Sequence, residues 1–335
     1  MPIQTIIASL FYNYSLNSDH IVLDVARAVL YAGGTLALKS LSTSPNQRST
    51  KGTLMDPRFY PAVAAIKAGD LARFRTLLRA DPSLATARSL KSHPTLLQCV
   101  VLDGYEVPNS IEMAQLLIDA GAEVDEPLIA ASSMDNLEAV LVLLDAGAAI
   151  NGNGTWSPIE DALAFGKHRI VTLLLERGAT IHNLRIAAGI GRADLIDGFF
   201  HPDNSLKPEA GTLAWPFGEP AEGWSQDPRD VIDNAFVYAC MSGRIAAADR
   251  LLRHGVRINA IPPGFDYAGT GLHYAAMQGH QPLVDYLLAH GADPCSKSRK
   301  VRSTIHHTDT TAAGWAEHGG HPEIKELLER AEQGA

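Results

Sequence analysis

The chain has 335 residues, 46% of them hydrophobic and 19% charged, which is enough apolar material for a continuous core and excludes wholesale disorder. Its formal charge of −9 argues against a general binder of nucleic acid or anionic membrane, because neutralising phosphate needs a basic face. Cys99, Cys240 and Cys295 are odd in number and far apart, so they make no disulfide framework and a reducing, cytoplasmic setting is expected.

Residues 1–54 come first and fit no repeat. Asp19 to Leu41 has the spacing of one amphipathic helix, and Ser40 to Lys51 reads as a polar Ser/Thr-rich linker. The longest apolar run, Ala28 to Leu38, is about half the ~20 residues a membrane-spanning helix needs. A basic start, compact apolar run and small-residue cleavage site do not occur in order, so no secretory signal is expected. The segment reads as accessory, with Met55 opening the lead into the first repeat.

Beyond it one phrase recurs: two large apolar residues, two variable ones, then glycine. It appears as Leu117-Ile118…Gly121, Leu143-Leu144…Gly147, Leu174-Leu175…Gly178, Leu251-Leu252…Gly255 and Leu287-Leu288…Gly291. A paired apolar ridge before a glycine is how a short buried helix ends, with glycine taking the left-handed conformation that closes the last turn. Eight residues before the ridge another glycine tends to stand (Gly69, Gly166, Gly191, Gly243, Gly279, Gly319), and before that a small pair such as Ala187-Ala188 or Ala275-Ala276. The pattern spells helix, tight turn, helix. The second ridge residue falls at 78, 118, 144, 175, 200, 252, 288 and 328, which gives eight units.

The clearest copy runs Thr270-Gly271-Leu272-His273-Tyr274-Ala275-Ala276, then Gly279-His280, Leu287-Leu288 and Gly291-Ala292-Asp293. Ser157-Pro158-Ile159-Glu160, Glu126-Pro127-Leu128-Ile129 and Thr95-Leu96-Leu97-Gln98 repeat its opening in phase. This resembles the ankyrin repeat over about residues 60–331. The resemblance implies an all-α solenoid of stacked helix-turn-helix units with short β-turn fingers, in which each unit buries its apolar face only against neighbours. It also implies that the concave surface of fingers and first helices binds another protein, as a scaffold or inhibitor.

Spacing marks insertions at Gly104 to Asn109, at His201 to Asp227, and in the loops near 260 and 296, while the connections near 120–130 and 178–185 leave no room for a finger. The 201–227 insertion carries Trp215 and Trp224 among four prolines. It reads either as a segment folded back over the weak fifth unit, whose ridge is Phe199-Phe200, or as a binding lid. The alternative function, a small-ligand or enzymatic site, would lie beneath it near the C-terminal histidines.

No catalytic motif accompanies this organisation, and no cofactor is implied. His273, His280 and His290 fall at positions where the resemblance makes histidine structural. His306, His307 and Cys295 are weak metal candidates, because no paired ligand motif such as C-x-x-C joins them. Lys297, Arg299, Lys300 and Arg302 put four positive charges on one finger of an acidic protein, which reads as a solvated loop or as a docking finger for an acidic protein partner, and offers too few phosphate contacts for nucleic acid. The expected partner surface combines Lys300 and Arg302 with Phe265 and Tyr267 of the preceding finger, the first-helix residues Tyr238, Tyr274 and Met277, and Trp215 and Trp224 of the insertion.

Overall fold

Each unit joins two short helices through a turn that needs one left-handed residue. Glycine supplies it in most units, but Asn109 and Asp135 supply it in the second and third, with φ of 64° and 58°. In the last unit it is Gly320 rather than Gly319, which still belongs to the helix. A computed structural model describes residues 56–89, 94–104, 106–154, 156–213, 227–265, 267–300 and 310–334.

Among the described residues sixteen α-helices form eight consecutive pairs. The first helices are α1 (Phe59–Ala68), α3 (Leu96–Asp103), α5 (Asp125–Ser132), α7 (Pro158–Ala164), α9 (Leu184–Ile190), α11 (Pro228–Met241), α13 (Gly271–Met277) and α15 (Ala312–Gly319). The second helices are α2 (Leu71–Ala80), α4 (Ser110–Asp119), α6 (Leu137–Asp145), α8 (His168–Glu176), α10 (Ala193–Ile196), α12 (Ile245–Arg253), α14 (Gln281–Ala289) and α16 (Pro322–Gly334). Every first helix packs on the first helix of the next unit, so the units stack in one row. The small pairs allow this. Ala131, Ser132, Ala187, Ala188, Ala239, Cys240, Ala275 and Ala276 are all fully buried.

The second helices bury the same three positions in five units. Counted from the left-handed turn residue, these are the fourth, fifth and eighth: Met113, Ala114 and Leu117; Ala139, Val140 and Leu143; Ile170, Val171 and Leu174; Ala247, Ala248 and Leu251; Leu283, Val284 and Leu287. The end units show which neighbour each position meets. In the first unit only the fifth, Phe74, is buried, while Arg73 is exposed and Leu77 half-buried. In the last unit the fourth and eighth, Ile324 and Leu328, are buried, and the fifth is the half-buried Lys325. Thus the fifth position faces the following unit, and the fourth and eighth face the preceding one. The five ridge-ending glycines all take φ between 86° and 98°, as the phrase predicts.

The fifth unit departs from this plan. α10 is four residues long and runs into a single 3₁₀ turn at Asp197–Phe199, after which Phe200 turns extended and bridges to Leu206. Phe200 lies flat on the His254 ring of the next unit, centroids 3.7 Å apart. His254 also meets Asp197 Oδ1 at 2.9 Å and Asn204 Oδ1 at 2.6 Å, so residues 200–210 fold back and fill in for the missing helical turn. Trp215 and Trp224 lie outside the described residues.

The apolar interior divides between the fourth and fifth units. One cluster holds the cores of the first four, including Ile159, Ala162 and Leu163, and the other begins at Leu184 and Ala188 and runs through Leu328. A strip of the first cluster continues along the first helices through Ile186, Tyr238, Phe265 and Tyr274 to Trp315, and ties the two together. Two fingers pair as antiparallel strands, β1 (Tyr267–Ala268) with β2 (Arg299–Lys300). No described helix is long and apolar enough to cross a membrane.

Candidate functional site: the finger and first-helix face

Equivalent positions on α11, α13 and α15 carry Tyr238, Tyr274 and Trp315, a spacing that stacking of the units converts into a ladder. Tyr274 and Trp315 meet edge to face with centroids 5.1 Å apart. Phe265, from the finger before α13, wedges between Tyr238 at 5.2 Å and Tyr274 at 5.3 Å. Offset and tilted ring pairs of this kind are attractive beyond the area they bury. All four side chains are buried, Phe265 being the most exposed at 8%. This corrects the expectation that Tyr238, Phe265 and Tyr274 form the exposed partner surface: they form the floor beneath it. Met277, at the end of α13, stays half-buried.

Gly271 opens α13, where close packing on the preceding unit leaves no room for a side chain. A Cβ there would lie 2.8 Å from both Cys240 Sγ and the Phe236 ring of the preceding unit.

At its upstream end the ladder meets a buried polar network that the sequence reading did not single out. Ser157 caps α7, its Oγ donating to Glu160 Oε2 at 2.7 Å. The other carboxylate oxygen, Oε1, accepts from Arg185 Nη2 at 2.7 Å, Arg185 Nε at 3.0 Å and Asn183 Nδ2 at 2.8 Å. Arg185 Nη1 reaches Asn234 Oδ1 at 3.4 Å, and Asn234 donates to the Pro263 carbonyl at 3.0 Å. The guanidinium lies 5.1 Å from the Trp156 ring centroid and 5.9 Å from that of Tyr238, within cation–π range. Glu160 and Arg185 occupy the same place in their helices as His273. The usable signal was a charged residue in that column twice running, with opposite signs.

Burial pushes the Glu160 carboxyl upward. Three groups outweigh it and hold Glu160 at about 2: His182, whose Nε2 stands 3.9 Å from Oε2 and acts by charge rather than by a hydrogen bond, the Arg185 cation, and the Ser157 hydroxyl. Asp161, next along α7, has no cation of its own. Burial raises it to about 7, with the Glu160 charge adding to the rise and the Trp156 indole N–H, 3.0 Å from Oδ1, opposing it.

Side-chain oxygens tie neighbouring units together. Asp125 and Asp233, on α5 and α11, and Asn151 and Asn259, in the connections, each accept from a backbone N–H in the connection that follows the next second helix, at Ala149, Arg257, Thr180 and Asp293 respectively, over 2.7–3.0 Å. Beside β2 an open cleft of about 570 Å³ is lined by Asp230, Arg257, Asn259, Ile261 and Arg299. Arg257 is neutralised by Asp230 and by Asp233, the latter at 2.6 Å. Arg299 is exposed and donates only to the Ile261 carbonyl at 3.3 Å, and the neighbouring Lys297 is exposed as well. Neither has a carboxylate partner among the described residues.

The remaining candidates divide simply. The Thr270 N–H and hydroxyl both lie on His273 Nδ1, while Nε2 faces the Thr310 carbonyl at 3.0 Å, so this ring fastens the seventh unit to the finger before the eighth. His280 meets the Met241 carbonyl at 3.0 Å, and His290 meets that of Tyr286 at 2.7 Å. Cys295 is exposed in the turn after α14. Tyr267 and Lys300 lie in β1 and β2, but their side chains, like all of Arg302, His306, His307, Trp215 and Trp224, fall outside the described residues. The small-ligand site expected beneath the insertion therefore lies largely outside the described residues, and His273 is bonded to Thr270 and to the Thr310 carbonyl.

A family model for ankyrin repeats (3 copies) matches residues 105–184 and 219–298, and one for ankyrin repeats (many copies) matches residues 272–328. A stretch of 59 residues is 42% identical to "Putative E3 ubiquitin-protein ligase XBAT35" of Arabidopsis thaliana, covering 17% of this chain and only 13% of that protein. That likeness is too short to carry an activity across. The two family models together cover more than half of the sequence and fall on the stacked helix pairs, and the chain belongs to the ankyrin-repeat family.

Proposed function

We propose that this chain is a protein-docking scaffold that receives an acidic segment of its partner across the β1–β2 fingers and the adjoining cleft. The observation that carries the reading is the pair Lys297 and Arg299, exposed on a finger with no carboxylate partner among the described residues, while the protein as a whole carries −9. Beneath them the aromatic ladder and the hydrogen bonds between neighbouring units hold the surface in one shape before a partner arrives, which lowers the ordering cost of binding. Binding rather than catalysis suits this arrangement, since the polar groups of the interior are bonded to one another rather than aimed into an enclosed pocket.

Affinity capture from the native cell extract, run side by side with wild-type protein and the Lys297→Glu, Arg299→Glu double variant, tests the reading. A protein retained by the wild type at low salt should be lost from the variant and from the wild type at high salt. Equal capture by both would move the docking surface away from this finger.

A further inference from the structure

The residues that open the second helices change character along the array. Asp70 and Asn136 open α2 and α6, and their side chains accept from the backbone N–H groups of Arg73 and Ala139 as helix caps should. From the fourth unit onward the same place holds Lys167, Arg192, Arg244, His280 and His321. The first four of these make no capping hydrogen bond. Cations at this end oppose the helix dipole and leave the first N–H groups uncapped, so helix stability alone does not favour them.

Stacking sets these side chains in a close row. Arg244 lies over Gly191 of the fifth unit, the His280 ring over Gly243 of the sixth and the His321 ring over Gly279 of the seventh. A Cβ on any of the three glycines would stand within 2.9 Å of the side chain above it. His168, next to Lys167, is exposed, and Lys167, Arg244, His280 and His321 are half-buried. The acids at this edge are engaged: Asp194 with Arg192 at 2.6 Å, Asp135 with Arg169 at 3.6 Å and Glu317 with Lys325 at 2.9 Å. Asp135 is the carboxylate whose charge Lys167 and His168 feel. Arg244 donates to the Gly189 carbonyl at 3.4 Å, and neither it nor Lys167 is in an ion pair among the described residues.

We infer that this row is a second docking surface, which takes an acidic segment of a protein partner at the ends of the helices opposite the fingers. The nine residues of α14 alone put the two edges about 13 Å apart, so the inference stands apart from the finger reading. A row that passes five successive turns suits an extended chain, whose carboxylates can meet its cations and the uncapped N–H groups of α8, α12 and α14. Crowding gives the contact a pH dependence. Burial, then the charges of Arg244 and His280, hold His168 below the usual imidazole range, against the pull of Asp135. Burial, Arg244 and His321 do the same to His280, against the Met241 carbonyl to which it donates. A bound carboxylate relieves that crowding and favours both imidazolium forms, so the segment binds more tightly as pH falls.

The test uses the full chain carrying Lys297→Glu and Arg299→Glu, which removes the finger charges, and a fluorescent oligoglutamate peptide followed by anisotropy. Affinity should rise on the order of tenfold from pH ~7.5 to ~5.5, the gain from a one-unit rise in the pKa of a single imidazole on binding. Adding His168→Gln and Arg244→Gln should weaken binding at pH ~5.5 about tenfold or more and flatten the pH profile, with the melting temperature nearly unchanged. Without those two substitutions, the ring-proton resonances of His168 should titrate at higher pH with the peptide than without it. Equal binding by the two proteins, affinity that does not change with pH, or a His168 titration that the peptide leaves unmoved would overturn the inference. So would tighter binding of an oligodeoxynucleotide of the same charge, since the row would then belong to nucleic acid.

Discussion

Arg185 of the fifth unit gives two hydrogen bonds, at 2.7 and 3.0 Å, to a single carboxylate oxygen of Glu160 in the fourth, where the apolar interior divides. Both side chains are buried, so removing one strands the charge of the other. Glu160→Ala or Arg185→Ala should each cost about 3–5 kcal/mol in urea unfolding. The double variant should cost much less than the sum, and additive costs would show that the two residues act separately.

Asp161 gives the protein a pH dependence of definite sign. Its folded value is about 7 against 3.8 in the unfolded chain, so the native state holds a proton that the unfolded state loses. The stability it contributes is full below pH ~4 and is lost as pH rises through ~7, by up to about 4 kcal/mol. Glu160, held at about 2, works oppositely and loses its contribution as pH falls from ~4.5 toward 2. Asp161→Asn should flatten the loss between pH 5 and 8 and raise the melting temperature at pH 8, while leaving pH 4 nearly unchanged. An unaltered profile would mean that Asp161 is ionised in the folded protein.

Phe265→Ala should destabilise the array by about 3 kcal/mol, because it empties the wedge between Tyr238 and Tyr274. Chemical denaturation measures it directly. A cost below ~1 kcal/mol would return Phe265 to the docking surface.

Unfolding should show two levels of cooperativity that meet between Ala179 and Leu184, where the core of the fourth unit gives way to that of the fifth. Native-state hydrogen exchange should place α7 and α9 in different protection classes, and Arg185→Ala should widen the gap. Uniform protection along the array would contradict this.

The sequence made the fold legible because its signals are local. The phrase ending at Gly147 or Gly291 carries its own helix, ridge and stop within about a dozen residues. Asn109 and Asp135 are not legible as turn residues because a left-handed backbone is uncommon without glycine, although both types adopt it more readily than most. The candidate site was less legible because its packing is non-local. Tyr274 reads as a free first-helix position until Phe265 and Trp315, from other units, are seen to cover it. Glu160 and Arg185, 25 residues apart, become partners only once both helices stand in register.

In the proposed docking, a partner arrives along the charge of the β1–β2 fingers. Surface plasmon resonance with a captured partner, comparing wild type with the Lys297→Glu, Arg299→Glu variant over a range of salt concentrations, tests it most directly. Exposed charges steer encounter more than they hold a complex, so the variant should associate at least tenfold more slowly at low salt. Its salt dependence should be weaker and its dissociation rate within about twofold of wild type. Association that matches wild type at every salt concentration would contradict the account and place the docking surface elsewhere on the array.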